Sequence, residues 1–130
     1  MTNSDFNIEL LKGKTITSID IDRENDEVIL TIENGNKYKL YHDQNCCESV
    51  VINKICGDIS KVINSPLINV KYKVLDNDPK WYKTDYDDSH TWTSFLFETE
   101  NGGLEIIWLG ESNGYYGEGV SVDEEVINPI

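Results

Sequence analysis

A chain of 130 residues with 38% hydrophobic and 10% aromatic content is the size of one compact domain and too apolar for a disordered acidic tail, so a single domain over residues 1–130 is expected. Its formal charge of -13 is unevenly placed: residues 1–83 carry 13 acids against 11 bases, while residues 84–130 carry 11 acids and no Lys or Arg. That balance disfavours nucleic-acid binding through phosphates, and no apolar run nears the ~20 residues needed to cross a bilayer.

In chain order, FNIELLKGK predicts a short amphipathic helix with Phe6, Leu10 and Leu11 on one side, stopped at Gly13. TITSIDID alternates, with Ile16, Ile19 and Ile21 as its apolar members. VILTIENGNKYKLYH then reads as two strands turning at Asn34-Gly35, a strong hairpin signal. VVINKI predicts a further short strand, and DISKVIN a short helix capped by Asp58 and ended before Pro66.

LINVKYKVL predicts a strand with Val70, Tyr72 and Val74 on one face and Lys71 and Lys73 on the other. DNDPKWYKTDYDDSH is polar and aperiodic and reads as an exposed loop. TWTSFLFETENGGLEIIWLG predicts a second hairpin, turning at Asn101-Gly102-Gly103, and VSVDEEVINPI a last strand. The expected fold class is α+β: a mainly antiparallel sheet of about six or seven strands with one or two short helices packed on it.

Two groups of residues carry candidate chemistry. In YHDQNCCESV, His42, Asp43, Cys46, Cys47 and Glu48 lie close together. Adjacent cysteines rarely supply two ligands to one tetrahedral ion, and there is no CxxC, so no metal and no cofactor are expected. A Cys46 nucleophile assisted by His42 or His90 stands against burial of the cysteines as small hydrophobes. With three cysteines in all, a secreted disulfide framework is not expected; reduced thiols and a cytoplasmic location are.

In the second group, HTWTSF and IIWLGESNGYY bring Trp92, Trp108, Glu111, Ser112, Asn113, Tyr115 and Tyr116 toward one end of a hairpin. Flat aromatic walls, orienting polar groups and glycines that admit close backbone approach suit a ring ligand such as a nucleobase, with Cys46 and Glu48 opposite. The competing reading is a Ser-Asn-Gly turn flanked by core aromatics.

The segments HDQNCCESV, SHTWTSFLFETENGG and IIWLGESNGYYGEGV together resemble a family of small proteins from bacteria and their phages described as a domain of unknown function. The resemblance spans roughly residues 8–122. It rests on a Cys-Cys-Glu-Ser-Val element, a Tyr-Thr-Trp-Thr element in which His90 here replaces Tyr, and a Trp-x-Gly-Glu-Ser-Asn-Gly-Tyr-Tyr-Ser element in which Gly117 replaces Ser.

It implies a phage or prophage protein of the host cytoplasm that antagonises bacterial defence without catalysis, by sequestering a nucleotide-like signal. The alternatives are an acidic inhibitor that mimics nucleic acid and blocks a basic host defence protein, with Asp85–Asp88 and Glu118–Glu125 as its face, and a small hydrolase. No direct nucleic-acid or membrane partner is expected, and self-association is left open.

Overall fold

Val28, Leu30 and Ile32 alternate with half-buried neighbours along one strand, and the described residues form nine strands in all. The computed structural model describes residues 2–75, 89–113 and 116–127. The strands are β1 (Thr2–Asn3), β2 (Ile16–Asp22), β3 (Glu27–Ile32), β4 (Lys37–Tyr41), β5 (Ser49–Gly57), β6 (Asn69–Leu75), β7 (Ser89–Thr99), β8 (Gly102–Ser112) and β9 (Ser121–Glu125).

They make two antiparallel sheets, of order β1-β9-β4-β3-β2 and β5-β8-β7-β6. One core joins them: Ile16, Val28, Leu30 and Leu40 from the first sheet cluster with Ile52, Phe95, Phe97, Ile106 and Trp108 from the second. Burying the apolar face of each sheet against the other is how two open sheets avoid exposing either.

The expected α+β class is therefore corrected to nearly all β, because neither expected helix forms as an α-helix. Residues Ile8–Leu11 and Ile59–Lys61 make single 3-10 turns. The physical reason is length. Asn7 and Asp58 do cap these turns through their side chains, but Gly13 (φ 89) and Asn64 (φ 66) turn the chain left-handed a few residues later. Segments that short cannot repay the cost of helix nucleation.

Both expected hairpins form, the second with its turn shifted by one residue. Gly35 at φ 91 carries the β3–β4 turn, with its N–H donating to Ile32 O at 2.9 Å. The β7–β8 register runs from Ser89↔Ser112 to Thr99↔Gly102, so that turn consists of Glu100 and Asn101, one residue earlier than the Asn-Gly-Gly spelling suggests. The expected loop over 76–90 lies outside the described residues except at its end, where Ser89 and His90 already belong to β7.

No helix among the described residues is long and apolar enough to cross a membrane.

Candidate functional site

The chain crosses between the sheets twice at one end. It leaves β4 after Tyr41 to enter β5 at Ser49, and leaves β8 after Ser112 to return to β9 at Ser121. Because Tyr41 pairs with Ser121 and Ser49 with Glu111, the two crossings must run side by side. One is HDQNCCE; the other ends in GEGV. This topology brings part of the two groups singled out in the sequence, the His42–Glu48 segment and the residues after Ser112, to the same end of the molecule.

Glu48 ends the first crossing and turns back into it. Its carboxylate accepts the backbone N–H groups of Asn45 at 2.8 Å and Cys46 at 2.9 Å, and lies 2.7 Å from His42 Nε2. The Gln44 side-chain amide donates to the Glu48 carbonyl at 2.6 Å. The Cys46 N–H, the His42 ring and the Asn45 N–H outweigh burial and hold the Glu48 carboxyl down at about 2.

His42 ties the two crossings together. Its Nδ1 lies 2.7 Å from the carbonyl oxygen of Gly119, an atom that only accepts, so Nδ1 carries a proton. Nε2 faces the ionised Glu48 carboxylate, also an acceptor. Both ring nitrogens are thus engaged at once, and His42 and Glu48 form a close pair with 10% and 0% of their side chains exposed.

A second buried carboxylate anchors the other crossing. Glu118, 8% exposed, accepts from Thr91 Oγ1 at 2.7 Å and from the Ser112 hydroxyl. Burial raises its carboxyl, but the hydrogen bonds from Ser112, Thr91 and Ser89 win and leave it below the ordinary range. Gly110 is required here: a Cβ on it would stand 2.3 Å from Glu118 O. The strap lies directly on the β8 backbone at Glu118, and that contact accounts for Gly110.

The expected site residues divide accordingly. Glu48 and Ser112 are built into the two carboxylate clusters. Cys46 is exposed beside Glu48 and is joined to Cys47 as a disulfide, in place of the expected reduced pair, while Cys56 is a free thiol. Glu111 is half-buried on β8 opposite Ser49 and His90. Asn113 is exposed and Tyr116 half-buried on the second crossing; Tyr115 lies outside the described residues.

The two tryptophans do not face each other. Trp108 is buried in the main core, whereas Trp92 pairs with Leu109 on the opposite face of the sheet and clusters there with Ile107. Strand alternation separates them, so they cannot be two walls around one ring. Sequence reasoning named His42 only as a possible base and Glu118 only as part of an exposed acidic face, and missed both as clasps. The available sign was Gly110 inside a strand, since a residue without a Cβ there lets the strap carrying Glu118 lie against the β8 backbone.

Beside the clasp opens a cavity of about 250 Å³ lined by His42, Asp43, Gln44, Asn45, Glu48 and Gly117. Its lining is polar throughout. The Asn45 carboxamide offers donor and acceptor on one group, Gln44, whose amide nitrogen donates to the Glu48 and Cys46 carbonyls, offers its oxygen, and Asp43 adds an exposed carboxylate. No Lys or Arg lines it, and both ring nitrogens of His42 are already engaged by Gly119 and Glu48. Among the described residues, no group of three or more His, Cys, Asp or Glu is placed to hold a metal ion. The arrangement can bind hydroxyl and amide edges and offers an anion no free cation.

Residues 9–122 match the family model described as Domain of unknown function (DUF7448). No curated protein and no solved structure matches the chain.

Proposed function

We propose that this chain, which belongs to the DUF7448 family, is a non-enzymatic binding protein that captures the nucleoside end of a nucleotide-like signal in the cavity between its two crossings. The observation that carries the reading is the polar lining of that 250 Å³ cavity on a rigidly clasped frame. Ribose hydroxyls and base edges match Asp43, Gln44 and Asn45, and a preformed frame lowers the entropic cost of binding. Phosphates stay in solvent, because the lining offers them no unpaired charge.

In this reading the protein acts in the cytoplasm of a bacterium as a phage- or prophage-derived antagonist of defence, withholding the signal from its receptor. Support for that setting comes from the resemblance to small bacterial and phage proteins. Calorimetry against cyclic and ADP-ribose-derived nucleotides tests the binding: one-to-one heats that vanish in Gln44→Ala are expected, and silence across the panel at high protein concentration would sink it.

Two other readings rank lower. The nucleic-acid-mimic inhibitor draws on the acidic C-terminal third, yet several of its carboxylates are engaged internally. Glu118 is buried, Asp123 accepts from Tyr41 at 2.9 Å, and Glu124 accepts from Tyr38 and Asn3. Asp85–Asp88 lie outside the described residues. A hydrolase built on Cys46 needs a histidine with a free ring nitrogen, and both nitrogens of His42 are occupied.

A further inference from the structure

Five large apolar side chains stand exposed among the described residues, and four of them gather on one flank. Leu10 is 64% exposed, Ile68 57%, Tyr72 44% and Val74 50%. Ile68, Tyr72 and Val74 belong to β6 or its approach, and the segment carrying Leu10 runs along the strand's outer edge. Tyr72 N–H donates to Glu9 Oε2 at 3.2 Å, and Gly13 N–H to Leu67 O at 2.8 Å.

This side of the second sheet is incompletely covered. Val70 is buried at 5%, but Tyr72 and Val74, on the same face of β6, open to solvent. Next to them is a groove of about 350 Å³ with Phe6, Ile8, Tyr72, Val120 and Val122 as its apolar lining and Asp5 at its side. Exposed apolar side chains that gather around a groove mark an interaction surface.

Charge argues for the occupant. Lys12 and Lys14 are exposed where the Leu10 segment runs past Leu67, in a chain of net charge -13; Lys71 and Lys73, also exposed, stand on the other face of β6. Two copies of a chain with that net charge repel each other. Here Lys12 and Lys14 offset that repulsion, and Asp5 and Glu9, also exposed, supply partners for lysines of the opposite copy. A surface holding groove, protruding side chains and both signs of charge is self-complementary about a twofold axis.

We infer that the β6 flank is a homodimer interface, in which a second copy of this chain covers Leu10, Tyr72 and Val74 and the adjoining groove. Body-to-body repulsion is long-ranged and the apolar contact is not, so added salt strengthens the dimer.

Sedimentation velocity over a wide range of protein concentration tests this. The wild-type protein is expected to pass from monomer to dimer as concentration rises, with the midpoint moving to lower concentration at higher salt. Leu10→Glu and Val74→Glu, both at exposed positions, each weaken association by about tenfold or more while circular dichroism remains that of the wild type. Amide hydrogen exchange on the wild-type chain reads the same contact without a variant, through concentration-dependent protection at Tyr72 and Val74. A monomer at every concentration and salt, a dimer that neither variant weakens, or protection confined to another strand overturns the inference.

Discussion

His42 Nδ1 and the Gly119 carbonyl oxygen lie 2.7 Å apart, joining two chain segments that cross between the sheets 77 residues apart in sequence. Through Nε2 the same ring reaches Glu48. The first crossing is therefore fastened to the second by one imidazole ring, and Glu118 fastens the second to β7 and β8 through Thr91 and Ser112. The cavity at their junction inherits its shape from these contacts.

Acid should loosen the clasp first. Glu48 is held at about 2, against 4.5 for an ordinary glutamate, so between those values the unfolded chain binds more protons than the folded one. Its contribution to stability is complete above about pH 4.5 and is lost as pH falls toward 2. Glu118, also lowered, acts in the same direction. Melting temperature against pH should fall across this window, and Glu48→Gln should flatten the slope; an unchanged slope in the variant contradicts the assignment.

Glycines within one motif should differ sharply. A Cβ at Gly110 meets Glu118 O at 2.3 Å, whereas one at Gly117 meets nothing within 4 Å. Gly110→Ala is expected to cost about 1–3 kcal/mol through forced displacement of the strap. Gly117→Ala should leave urea denaturation nearly unchanged. Equal effects at the two positions argue against the strap geometry.

The tryptophans should report on stability and not on ligand. Trp92→Phe and Trp108→Phe are each expected to destabilise the fold by about 1–3 kcal/mol, since both side chains are buried, at 2% and 0%. Calorimetric affinity for a bound nucleotide should be the same in both variants as in the wild type. Loss of binding without loss of stability in either variant restores an aromatic site.

Phosphate should matter little. With no Lys or Arg lining the cavity, a nucleoside and its phosphorylated form are expected to differ in affinity by less than about tenfold. Titration of matched pairs at two salt concentrations checks this. A steep gain with each phosphate, eroded by salt, points to a cation elsewhere.

Much of the sheet is legible in the sequence because alternation and turn chemistry are local. Asn34-Gly35 and the NGG run announce their hairpins, and Val28, Leu30 and Ile32 announce a buried face. What local pattern does not show is which sheet a strand joins. Nothing in VSVDEE says that β9 lies between β1 and β4, and it is that placement which sets the two crossings side by side. Trp92 and Trp108 look alike in sequence and are separated only by pairing parity across β7 and β8. The short helices failed because an apolar spacing fits a helix and a single 3-10 turn equally well over four residues.

The most direct test of the proposed site is a titration of the isotopically labelled protein with ADP-ribose and a cyclic dinucleotide, followed by amide chemical shifts. The account predicts that perturbations begin at Gln44, Asn45 and Gly117 and spread along the two crossings, leaving the amides of Trp92 and Trp108 largely unmoved. No perturbation at near-millimolar ligand, or perturbations centred on another part of the molecule, contradicts it.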